Sequence, residues 1–291
     1  MQTKNSGTPS VLNIYSQTAS TVKKQPLVLL PFVIFAIFEF AALILLFLAP
    51  RMPFIKFFGP PIRVFWGEQF LHYPANFLLL PKLLSLSKMF LAIFFGSLLT
   101  GMVVLMVGHI GKNQKIPLIK VVMSALKKYT ALFTVLLIVT FLLYYGMKLY
   151  IRALSAYFMS GQERLLLLKP HVWLGPVLLL VNFIYTLLIQ ALFIYSIPFL
   201  MIEGQGLFKS LKKSFFLFKK FFKKTIILVG LPLLAYLPIV IIQMNSRFMI
   251  NNVFPETILI LCAAGIVLST LIIDPIITIS TALFFLSQKD K

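Results

Sequence analysis

The chain has 291 residues, of which 60% are hydrophobic and only 12% charged, and its mean hydropathy is +0.98. A soluble core of this size needs more polar surface to cover it, so the composition excludes an ordinary globular enzyme and points to a membrane protein. The net charge of +20 does not indicate a nucleic-acid binder, because the lysines flank apolar runs and form no separate basic domain; anionic phospholipid is the expected partner.

Residues 1–26 are polar and end in Lys23 and Lys24. They read as an N-terminal arm with amphipathic character around Val11, Leu12, Ile14 and Tyr15. The first apolar run, about 27–49, is twice the length of a signal-peptide core and is long enough to span a bilayer. Glu39 falls near its middle. Residues 50–86 are rich in proline and aromatic residues, and their apolar runs look too short and too interrupted to cross. They are expected to lie along the outer interface or to dip in and return.

A second span is expected over about 89–107. There Gly96, Ser97, Thr100 and Gly101 form two interleaved small-xxx-small pairs, a face for close helix packing. A basic loop follows, with Lys112, Lys115, Lys120, Lys127 and Lys128. The third span, about 129–149, ends in Tyr144, Tyr145 and Tyr150, and an outer loop then holds Arg152, Glu163, Arg164 and Lys169. The fourth span, about 172–201, opens with Trp173 and contains Asn182 and Gln190.

Next comes PFLMIEGQGLFKSLKKSFFLFKKFFKK, residues 198–224. At 100° per residue its lysines, Lys209, Lys212, Lys213, Lys219, Lys220, Lys223 and Lys224, fall within an arc of roughly 140°. Leu207, Phe208, Leu211, Phe215, Phe218, Phe221 and Phe222 fill the opposite side, and Phe216 sits among the lysines. A helix over 207–224 would suit a bilayer boundary, with rings among acyl chains and ammonium groups among headgroups. The fifth span, about 225–243, contains Pro232 and Pro238 and should bend. The sixth, about 257–286, contains Asp274-Pro275, and residues 287–291 form a short tail.

The two densest lysine clusters fall on one side if the N-terminus is cytoplasmic, as the positive-inside tendency requires. Both tryptophans, Trp66 and Trp173, then lie at the outer interface, and both termini are cytoplasmic. Thr21-Val22-Lys23-Lys24, Ala125-Leu126-Lys127-Lys128 and Phe221-Phe222-Lys223-Lys224 each run into an odd-numbered span, which suggests three repeated hairpins. The expected fold is an all-α polytopic membrane protein of six transmembrane helices in three hairpins, with cytoplasmic amphipathic helices.

The stretch PFLMIEGQGLFKSLKKSFFLFKKFFKKTIILVGLPLL resembles six-span bacterial proteins related to the membrane domain of glycerophosphodiester phosphodiesterases. The matching positions are Pro198, Glu203, Gly204 and Ser214, and STVKKQPLVLLP and DPIITISTALFFLSQ are similar to the two ends of that domain. The resemblance implies the fold and the bacterial cytoplasmic membrane. It does not bring hydrolysis with it, because the chain reaches Lys291 with no room for the soluble catalytic domain.

Candidate sites follow from these positions. Glu39, Asp274, Asn182 and Gln190 could line a midplane polar path, since carboxylates within spans usually face a bundle interior or a wet cavity. Asp274 could equally repair the backbone bond that Pro275 removes. Pro198, Glu203 and Gly204 read as a structural turn, with Glu203 paired to a lysine or placed at a helix N-terminus. The seven lysines read as headgroup contacts. His72, His109 and His171 are scattered, so no metal centre is expected; outer-loop Glu68 and Glu163 could form a polar site with the arginines, or equally well surface ion pairs. No catalytic motif is present and no cofactor is expected. The leading expectation is a non-enzymatic, lipid-contacting membrane component, with a role in lipid movement, envelope organisation or assembly of a membrane protein partner. A small transporter or channel using the midplane polar path is the alternative, and a lipid-modifying enzyme is third.

Overall fold

The computed structural model describes residues 9–112, 114–160 and 170–289. The described residues form helices throughout. In chain order these are α1 Val11–Lys24, α2 Leu30–Leu48, α3 Ile55–Phe65, α4 Asn76–Leu91, α5 Ser97–Gly111, α6 Leu118–Lys127, α7 Tyr129–Ser160 and α8 Pro170–Phe193. They continue with α9 Ser196–Met201, α10 Leu207–Lys220, α11 Phe222–Leu234, α12 Leu237–Met244, α13 Ser246–Asn252, α14 Thr257–Ile266 and α15 Asp274–Lys289. Glu163, Arg164, Lys169 and the side chains of His171 and Trp173 lie outside what is described.

Among the described residues five stretches are long and apolar enough to cross a bilayer: Pro26–Leu48, Asn76–Gly111, Tyr129–Tyr150, Val177–Met201 and Thr257–Lys289. A sixth exists if α11 and α12, bent by 49° between Pro232 and Pro238, count as one. The protein is therefore an all-helical membrane protein.

The second crossing is longer than the expected 89–107. α4 and α5 join through a π-helical turn, Ala92–Gly96, into one 36-residue helix that starts at Asn76. At 1.5 Å per residue it is about 54 Å long, well beyond a hydrocarbon core of about 30 Å. Pro81, the sixth residue of α4, lies inside this helix without ending it, although it has no N–H to offer the Phe77 carbonyl one turn earlier. Of residues 50–86, then, only the part before Asn76 is separate from the second crossing. There α3 folds onto the start of α4 around Ala49, Ile62, Leu71 and Leu79.

The second and last long helices pack together and form the centre. α5 and α15 are in contact; α2 lies along α4, α14 and the π-helical segment Val267–Ile273, and α7, α8 and α11 close the rest of the ring. The small-residue face of α5 divides between two neighbours. Gly96 faces the Phe35 ring of α2, and a Cβ at Gly101 would lie 2.7 Å from Leu132 of α7.

Residues 11–24 are not a free arm. α1 begins at an N-cap, Ser10, whose hydroxyl accepts from the Asn13 N–H, and it buries Ile14 and Thr18. It lies on α15 and α11, and Tyr15 donates to the Ile227 and Leu228 carbonyls at 3.1 and 3.0 Å. Burial pushes the Tyr15 phenol up to about 12, so it remains a donor at any ordinary pH. Three times, a short amphipathic helix ends at a lysine pair and turns into a long apolar one: α1 into α2, α6 into α7, α10 into α11. All three sit at the end of the bundle where α5 and α15 finish.

Candidate functional site

The lysine-rich stretch is two helices. Phe221 has φ −120° and ψ 33°, which ends α10 at Lys220, so Lys223 and Lys224 belong to the first turn of α11. The Phe221 ring packs edge-on against Phe284 of α15, and this contact anchors the corner. Three faces run along α10. Ser210 and Ser214 are fully buried, and the Ser214 hydroxyl donates to the Leu192 carbonyl of α8 at 2.7 Å. Phe208 and Phe215 are exposed on one flank, while Lys209, Lys212, Lys219 and Lys220 are exposed on the other side with Phe216 among them. Phe208 and Phe215 are thus left outward, and the docked edge is the two serines with Leu207, Leu211, Leu217 and Phe218 packed beside them. Small residues let two backbones approach, so they mark the protein-facing edge better than greasy ones do.

Lys213 is half-buried and pairs with Glu203 at 2.9 Å, beneath the ring of Phe199. Gln205 donates to the same carboxylate oxygen at 3.3 Å. Gly204 takes φ +70°, a conformation that strains any residue with a Cβ, and so turns α9 into α10. Pro198 is buried within α9. Lys128 reaches in from the start of α7 and donates to the Leu200 carbonyl at 2.6 Å, at the negative end of α9. Burial holds its ammonium pKa below the usual lysine range.

Glu39 is 1% exposed and is not isolated. Lys88 of α4 lies 3.3 Å from one carboxylate oxygen, and Thr270 donates to the other at 2.5 Å. Lys88 also donates to the Ser269 hydroxyl at 2.8 Å. Ser269 and Thr270 both belong to the π-helical segment Val267–Ile273, which turns these consecutive hydroxyls toward the pair. A buried charge pair of this kind is tolerated when hydrogen bonds beyond the pair itself support it, as Thr270 and Ser269 do here.

Asp274 lies one residue beyond that segment, within electrostatic reach of Lys88 and Glu39, and lines a cavity of about 320 Å³ among α2, α5, α7, α8, α9 and α15. Gln190 is on the same wall, with Thr100, Thr140, Thr278 and Thr281, while the remaining surface is mostly apolar. The four expected midplane residues are therefore not assembled together. Asp274 and Gln190 share the cavity, Glu39 is sealed in its own ion pair, and Asn182 is exposed on the outside of α8. Nor does Asp274 mend the bond that Pro275 breaks. Among the described residues its carboxylate has no hydrogen-bond or ion-pair partner. Instead, the Asp274 N–H reaches back to the Ser269 carbonyl, a five-residue step that widens the helix ahead of the proline.

Among the described residues no three His, Cys, Asp or Glu side chains come together to hold a metal. In and beside α3, Arg63 and Glu68 form an exposed pair at 3.3 Å, and Lys82 lies over the Trp66 ring. The sequence did not mark Lys88, Ser269 and Thr270. Lys88 looked like a boundary residue of a shorter span, and hydroxyls inside an apolar run carry no signal until a charge is found beside them. Comparison with protein-family models, with curated proteins and with solved structures found no match.

Proposed function

We propose that this is a non-enzymatic, six-span protein of the bacterial cytoplasmic membrane whose cytoplasmic face grips anionic phospholipid. α11 and α12 make the bent fifth crossing, and the six crossings form three hairpins, each entered through a lysine-ended amphipathic helix. The observation that carries this reading is α10. Its serine edge is docked, while its lysines and phenylalanines are left outward on adjoining faces. That division is what a helix needs to lie at a headgroup boundary. Each exposed lysine near an anionic surface contributes on the order of 1 kcal/mol. The resemblance to the phosphodiesterase membrane domain supports the same topology and brings no activity with it.

In this role the lysine face orients the protein and gathers anionic lipid around the bundle, which supports lipid movement, envelope organisation or assembly of a membrane protein partner. Transport along a path joining Glu39 to Asp274 is not advanced, because the two carboxylates do not share a cavity. The test is reconstitution. Protein with Lys209, Lys212, Lys219 and Lys220 changed to Gln should lose most of its preference for phosphatidylglycerol over phosphatidylcholine, read as lipid co-purifying from mixed vesicles. An unchanged lipid ratio removes the proposal.

A further inference from the structure

The cavity stands apart from the lysine face and has a charge problem of its own. Among the described residues lining it, Asp274 is the sole ionisable side chain. Nearby, Glu39 is already matched by Lys88 and Thr270, and Lys88 places its further bond on Ser269. Around the cavity two carboxyl groups, Glu39 and Asp274, thus have one ammonium, Lys88, between them. A carboxylate exposed to a mostly apolar hollow within a membrane bundle is costly unless something answers it. The rings of Phe32, Phe35 and Phe193 also line the hollow, and an aromatic face attracts a cation.

We propose that this cavity binds a small organic cation, an ammonium group on an apolar body, with Asp274 as its counter-ion. The Gln190 amide oxygen and the threonine hydroxyls accept from an ammonium that carries protons, and the phenylalanines and aliphatic walls cover the body. An anion finds no positive group on this wall. A neutral ligand leaves the carboxylate unanswered. The volume of about 320 Å³ lies at the small end of ligand pockets, which suits a single ring with a short chain. The site rests on the cavity alone and stands or falls separately from lipid binding by α10.

The experiment uses the full chain in nonionic maltoside micelles and two probes, 4-phenylbutyltrimethylammonium and the neutral 4-phenylbutanol, with binding followed by calorimetry. A permanently charged probe separates ligand binding from simple protonation of Asp274. The expected result is saturable binding of the cation at least tenfold tighter than that of the alcohol. Asp274→Asn should remove that difference while leaving the alcohol unchanged. Thr140→Phe, which fills the hollow without touching its charge, should weaken both probes. Equal affinity for the two probes in the parent protein overturns the proposal, as does full cation binding in either variant. Because the first comparison needs no variant, a substitution that fails to fold does not rescue the idea.

Discussion

Glu39 and Lys88 show how a charge can be kept within an apolar bundle. Each is tolerated because the other is there: the acid's two oxygens have separate donors, and the ammonium has the Ser269 hydroxyl as well. Removing one partner leaves the other uncompensated, at a cost of about 3–5 kcal/mol, whereas replacing both with apolar groups is often close to neutral. Glu39→Leu and Lys88→Leu should therefore each lower the melting temperature of the micellar protein sharply. The double variant should melt above either single one. Strictly additive losses would mean that the pair is not coupled. Neither partner could be assigned from the sequence, since Pro81 and Lys82 made the region around Lys88 look like the approach to a span. Only the continuous helix from Asn76 brings Lys88 to the depth of Glu39.

Among the amphipathic helices, one flank of α10 departs from the pattern familiar from soluble proteins, whereas α1 and α6 bury Ile14, Val121 and Ala125 in the ordinary way. A greasy stripe on a surface helix normally faces the core. Along α10 the phenylalanines Phe208 and Phe215 face outward, and the buried edge is Ser210 and Ser214. The Ser214 hydroxyl has no slack, being fully buried and bonded to the Leu192 carbonyl at 2.7 Å. Ser214→Leu both breaks that bond and overfills the contact, at a cost of about 1–3 kcal/mol. Amide exchange should then quicken across residues 207–220 while the central helix 76–111 stays protected. Equal acceleration in both would show that α10 is no independent element. The lysine periodicity over 207–224 was legible; the break at Phe221 was not, because it depends on the Phe284 ring of a helix more than sixty residues away.

For the whole molecule, the number of crossings turns on whether α11 and α12 act as one span. Cysteines placed singly at Lys115 and Asn251, both exposed, give a direct reading in a Cys262→Ser background. A bent sixth crossing puts the two on opposite sides, so an impermeant thiol reagent should label Asn251→Cys from outside intact cells and Lys115→Cys only after lysis. Labelling of both from the same side would make the 49° pair a re-entrant loop and leave five crossings.

Composition and run length by themselves determined the membrane class, the all-helical build, the approximate position of every long apolar stretch and the lysine-bearing face. These properties depend on residue type and on a period of 3.6, both local to the chain. The pairing of Glu39 with Lys88, the separation of Asp274 from it, the docking of residues 11–24 and the hollow beside Gln190 were decided only by tertiary structure. Within a bilayer, apolar side chains are at home against lipid and protein alike, so hydrophobicity does not say which face turns inward. That choice falls to small residues, buried hydroxyls and the few charges, and their partners lie on other helices.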